Sequence, residues 1–202
     1  MPGMNSKSIP LILALLCSVT ALVAALWLGT NPIEQAHLAA RYTARAGVPI
    51  FMLTYAASSL LQLWPNRFTH ALMRNRFYCA MGFVLTHTIH LFVFSYFLWV
   101  SGETQPDFII KGGIAGYVLL YALALTSNQA AIEWMGKWWK VLHHIGVHTL
   151  CFMFTMTYLS KVSDPEQMSG AIIPLLICLS AIAVRIAAWG KLGWGYWRDK
   201  TS

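Results

Sequence analysis

Six apolar blocks, each close to the roughly 20 residues that a membrane-crossing helix needs, run along this chain with short polar connections between them. They are Ile9–Leu28, Gly47–Trp64, Phe77–Val100, Phe108–Thr126, Trp139–Leu159 and Gly170–Trp189. The second is the most interrupted, by Pro49 and by Ser58-Ser59; with a start at Gly47, Pro49 falls in the first turn, where proline is tolerated. The pattern predicts an all-α integral membrane protein, a six-helix transmembrane bundle forming one domain over residues 1–202. Ile9–Leu28 is too long for a signal-peptide core and ends in Trp27-Leu28-Gly29, so it reads as a retained helix. Between the fourth and fifth blocks, Ser127 or Asn128 can cap a short amphipathic helix. Ala131, Trp134, Met135 and Trp138 recur there at helical spacing, as in a helix lying in the membrane interface. Gly112 and Gly116 form a GxxxG, which predicts close helix packing.

Composition agrees. Of the 202 residues, 57% are apolar and 10% charged, against roughly 25% charged in a soluble domain. Too few charges are present to cover a soluble surface, and the lipid bilayer is the implied partner. Intrinsic disorder, a nucleic-acid-binding module and a secreted disulfide domain are excluded. Cys17, Cys79, Cys151 and Cys178 fall in separate apolar blocks without metal spacing and read as small hydrophobes.

The net charge of +7 is distributed unevenly. An alternating six-helix path puts Lys7, Arg67, Arg74, Arg76, Lys137, Lys140, Arg185, Lys191, Arg198 and Lys200 on one face. The other face keeps Arg41, Arg45, Lys111 and Lys161 together with Glu34, Glu103, Asp107, Asp164 and Glu166. Positive residues favour the cytoplasm, so both termini are expected there.

Histidine carries the candidate chemistry. His37 and His70 read as loop residues. The other five fall on two helices: His87 and His90 on the third, and His143, His144 and His148 on the fifth. Ionisable side chains at membrane depth are expensive and point to function. His87 and His90 share a helical face, as do His144 and His148. Counted from the helix starts, His87 and His148 are level near mid-membrane. Facing imidazoles suit a six-coordinate haem iron in a bundle core. Gly82 and Gly146 would leave room for the macrocycle, and Arg74, Arg76, Lys140 and Arg185 could meet its propionates. The same HxxH and HxxxH pairs also suit a four-histidine site for a transition metal, for transport or sensing. No nucleophile or carboxylate dyad accompanies them, so no catalytic residue is assigned. GxGxxG is absent, and no block has the length of a flavin domain.

The segments RNRFYCAMGFVLTHTIHLFVFSY and YALALTSNQAAIEWMGKWWKVLHHIGVH resemble the ferric-reductase-like transmembrane domain family. The likeness is greatest to its haem-binding subunits of methionine-sulfoxide reductase systems. It covers roughly residues 67–158, including Leu123-Ala124-Leu125-Thr126-Ser127 and Leu142-His143. The resemblance implies a haem b electron-transfer subunit with one or two haems. Its donor would be quinol or a separate flavin reductase, its acceptor a periplasmic reductase, with FMN or a quinone as further cofactors. It sets His90 as the third-helix ligand and His143 as the first fifth-helix ligand. The family's second fifth-helix histidine would fall at Met156 or Thr157, and Arg76 or Phe77 stands where two-haem relatives carry another. His87, His144 and His148 would then compensate, or Met156 itself would ligate.

Overall fold

The computed structural model describes the backbone of residues 8–201 and the side chains of residues 8–191; Lys7, and the side chains of Arg198 and Lys200, lie outside the described residues. Eight helices follow one another: α1 (Ile9–Leu28), α2 (Pro32–Leu63), α3 (Arg67–Arg74), α4 (Arg76–Ser101), α5 (Asp107–Leu125), α6 (Gln129–Met135), α7 (Lys137–Val162) and α8 (Pro165–Thr201). Asparagines start three of them. Asn31 accepts from the amide of Glu34, Asn66 forms a capping box with Thr69, and Asn128 accepts from the amide of Ala131. Two turns need glycine, since Gly102 and Gly136 have φ of 67° and 53°.

The helix α2 departs most from the sequence reading. It begins at Pro32 rather than Gly47, so Pro49 lies in its interior and not in its first turn. Glu34, Gln35, His37, Arg41 and Arg45 hide the early half from an apolar scan. The helix forms there because Ala36, Ala39, Ala40, Thr43 and Gly47 make a buried stripe of small residues that lets α1 and α4 approach closely. Ala36 and Ala40 pack with Phe97. His37 and His70 are therefore helical, exposed residues, not loop residues. Helix α1 has the expected bounds, α5 is shifted by one residue, and α4, α7 and α8 extend beyond theirs, α8 most. Helix α6 matches the expected short helix; Trp134 is exposed and none of its residues is buried.

Among the described residues, five helices are long and apolar enough to cross a membrane: α1, α2, α4, α5 and the Pro165–Lys191 part of α8. Helix α7 has the same 26 residues as α4, but His143, His144 and His148 interrupt its apolar run.

The long helices run alternately up and down around α2, which packs against α1, α4 and α8 and touches α7. The backbones of α4 and α7 stand apart. Aromatic rings bridge them, with Phe154 of α7 centred 5.7 Å from Phe83 of α4 and 5.4 Å from Phe51 of α2. The GxxxG does not make the expected close interface along its length: Gly116 faces Met153, and Gly112 faces open space. Cys151 and Cys178 are buried as expected, while Cys17 is exposed; all four cysteines are free thiols.

Candidate functional site

One face of α2 organises the interior histidines. Thr43, Gly47, Phe51 and Tyr55 recur every four residues, so they form a straight row along the helix. Thr43 meets His90, with Oγ1 to Nδ1 at 3.2 Å. Gly47 meets His87 so closely that a Cβ there would lie 2.6 Å from Nδ1. Phe51 stacks on Phe83, with centroids 4.7 Å apart. The hydroxyl of Tyr55 lies 3.0 Å from Nδ1 of His148.

This row corrects the depth reckoning. His87 lies opposite Phe154, centroids 5.0 Å apart, and His148 is six residues earlier on α7. His148 is thus about 9 Å nearer the start of the helix than His87, at 1.5 Å rise per residue, and the two are not level. By the same map His90 is level with residue 157, about 21 Å from His143 along the bundle. The interior histidines occupy two ends of a dry aromatic core. His87 and His90 are 5.5 Å apart by centroid, and His144 and His148 are 4.7 Å apart, but each pair lies within one helix. Among the described residues, no three His, Cys, Asp or Glu side chains stand together as a metal cage.

The hydrogen-bond network assigns the ring protons. Thr43 donates its own proton to the Ala39 carbonyl at 2.7 Å, so towards His90 it accepts, and His90 carries its proton on Nδ1. Its Nε2 keeps a free lone pair. Thr126 likewise donates to the Ala122 carbonyl at 2.7 Å and accepts from Nε2 of His143 at 2.9 Å. His143, stacked on Trp139 at 4.3 Å, keeps its lone pair on Nδ1. Fixing one ring nitrogen through a hydrogen bond while the other is left to ligate is the arrangement that metal-binding histidines use. His148 is the reverse. The Tyr55 hydroxyl lies 3.0 Å from Nδ1 of His148 and also against the Cys151 thiol; donating to the imidazole nitrogen, the stronger acceptor of the two, it leaves the His148 proton on Nε2. That atom is buried and unpartnered, as is Nδ1 of His87. His144 is exposed on the bundle surface.

The expected macrocycle gaps are filled. Gly82 lies against Pro10 and Ala14 of α1, and Gly146 against Leu119 and Leu123 of α5. Met156 and Thr157 are exposed on the outer face of α7, so neither stands opposite His90 in the interior. Arg74 and Lys140 are exposed, whereas Arg76 and Arg185 turn inward. Sequence reasoning missed Thr43, Gly47, Tyr55 and Thr126. The recoverable signal was the four-residue spacing on α2 and a threonine one short loop before His143.

A haem iron needs imidazole lone pairs; His90 offers one in the interior, and His143, half-buried against Trp139, offers another. They cannot serve the same iron at their separation. Neither faces a second histidine across the bundle.

These helices and this histidine-lined interior define a multi-pass integral membrane protein. Its similarity to known proteins is specific: the chain is 26% identical, over 181 residues, to the protein-methionine-sulfoxide reductase heme-binding subunit MsrQ of Bordetella parapertussis, and 82% of each chain is covered. The MsrQ proteins of Bordetella bronchiseptica and Bordetella pertussis match to the same extent. No family model matches the chain, and no solved structure matches it.

Proposed function

We propose that this protein is a haem b-binding electron-transfer subunit of the bacterial inner membrane, with a ferric-reductase-like six-helix bundle in which α7 is the sixth span and both termini are cytoplasmic. One observation carries the reading. His90 and His143, the two histidines that the family resemblance marks, are those whose rings are held by threonine with a lone pair left free. The MsrQ relatives are named as heme-binding subunits, and that description is extended here to this chain.

His90 and His143 would each hold one haem iron, near opposite ends of the bundle. Haem supplies one-electron chemistry when bound. The chain supplies the rest. Thr43 and Thr126 fix the ring orientation and tautomer. Phe51, Phe83 and Phe154 exclude water from the interior between the two histidines. His87 lies against these rings, 4.5 Å from Phe83 and 5.0 Å from Phe154 by centroid. The protein completes no substrate chemistry alone; quinol or a flavin reductase supplies electrons, and a periplasmic reductase takes them.

The decisive measurement is the absorption spectrum of protein purified from a haem-replete host. A Soret band that sharpens on reduction is expected, with haem reduced by quinol or by a flavin reductase and NADH. Absence of the band overturns the haem assignment. A loaded haem that neither donor reduces overturns electron transfer.

A further inference from the structure

Arg185 sits where an arginine should not be left alone. It lies on α8, six residues before Lys191, yet it turns into the protein instead of reaching for the surface. Its Nη1 donates to the Tyr55 carbonyl at 2.7 Å. Its guanidinium lies 4.7 Å from the Tyr55 ring centroid and 5.7 Å from that of Trp189. Its Nε is buried without a partner. One carbonyl earlier on α2, Arg76 donates through Nε to Thr54 at 3.2 Å. Two guanidinium groups thus grip successive carbonyls of one helix. The ion pair among the described residues joins Lys111 to Asp107 and leaves both arginines without a carboxylate. Both arginines are half-buried, and a guanidinium drawn partly out of water without an anion is destabilising unless something neutralises it.

A cavity of about 280 Å³ opens beside Arg185, between α7 and α8, lined also by Tyr55, His148, Phe152, Ile186 and Trp189. Two of the three buried unpartnered polar atoms of the described residues, Arg185 Nε and His148 Nε2, belong to its lining. Because Tyr55 donates to His148 Nδ1, Nε2 bears a hydrogen. Both groups are therefore donors, and the cavity asks for an acceptor that carries negative charge. Phe152 and Ile186 at its rim are exposed on the bundle surface, so access is from the lipid. Trp189 marks the depth, since tryptophan concentrates where headgroups meet acyl chains.

We infer that Arg185 and His148, the imidazole oriented by Tyr55, form a binding site for the phosphate of an anionic phospholipid, seated between α7 and α8. Guanidinium recognises phosphate through charge-assisted, geometrically matched hydrogen bonds. The aromatic rim suits the glycerol and first methylenes of such a lipid. The site uses neither His90 nor His143, the two histidines proposed above to hold haem iron.

The test uses the full chain, with and without haem, in phosphatidylcholine vesicles with or without phosphatidylglycerol. Retained phospholipid is counted after detergent exchange, and unfolding temperature is measured. Phosphatidylglycerol should be retained and should raise the unfolding temperature. Arg185→Gln should weaken retention by about tenfold, the loss of roughly 1.4 kcal/mol. His148→Phe should weaken it less, and Lys191→Gln should leave it unchanged. Should Arg185→Gln fail to fold, Arg185→Lys keeps the charge but loses the fork, and reduced retention is still expected. Equal retention by the folded Arg185 variant and the wild type overturns the site, as does no retention by the wild type. Loss of lipid on haem loading also overturns it and assigns the oxyanion to a haem propionate.

Discussion

Thr43 Oγ1 stands 3.2 Å from His90 Nδ1 and simultaneously 2.7 Å from the Ala39 carbonyl. With one proton to give, the threonine must accept from the histidine, and so Nε2 of His90 is left with the free lone pair. A helix with no interior histidine of its own thereby selects the chemistry of a histidine on its neighbour.

Replacing Thr43 by valine removes that acceptor while keeping the shape. Haem retention should fall by about 10- to 100-fold in affinity, the usual effect of losing a partner that orients a metal ligand. Serine at the same position should restore it. Titration of apoprotein with haem, followed at the Soret band, makes the comparison.

His90→Ala and His143→Ala should each lower the haem-to-protein ratio partway, and the double variant should bring it to zero. Their separation along the bundle, about 21 Å, forbids a shared iron. A single variant that loses all haem would contradict this placement.

Gly47→Ala should destabilise the protein by about 1–3 kcal/mol, because the new Cβ would lie 2.6 Å from His87 Nδ1 in a packed interior. Combining it with His87→Ala should recover much of the loss. Thermal unfolding of the two singles and the double closes the cycle.

Phe154→Ala should cost about 3–5 kcal/mol. Its ring packs against Phe51, Phe83 and His87 and spans the space between α4 and α7. Unfolding midpoints in a mild denaturant should show a clear drop, whereas Phe152→Ala, at an exposed position, should change little.

A topology reporter fused after Ser202 should be active in the cytoplasm. Activity confined to the periplasm would remove either the sixth span or the assigned orientation.

What the chain alone determined is set by side-chain type along a line. An apolar share of 57% with 10% charge dictates a lipid-facing surface, and periodic apolar blocks dictate helices. The clustering of five histidines on α4 and α7 was equally visible, as was the uneven distribution of Lys and Arg among the connections. The early half of α2 was not. Its buried face is made of alanine, threonine and glycine, whose hydropathy is too weak to outweigh the charges beside them; only contact with α1 and α4 shows why it is a helix. Pairing was hidden for the same kind of reason. Depth counted from helix ends assumes equal starts, but α7 is shifted along the bundle so that His87 meets Phe154 and not His148. The protonation pattern needed tertiary structure most. Which ring nitrogen of His90, His143 or His148 keeps its lone pair depends on a hydroxyl from another helix, and that is a relation of distance in space, not of order along the chain.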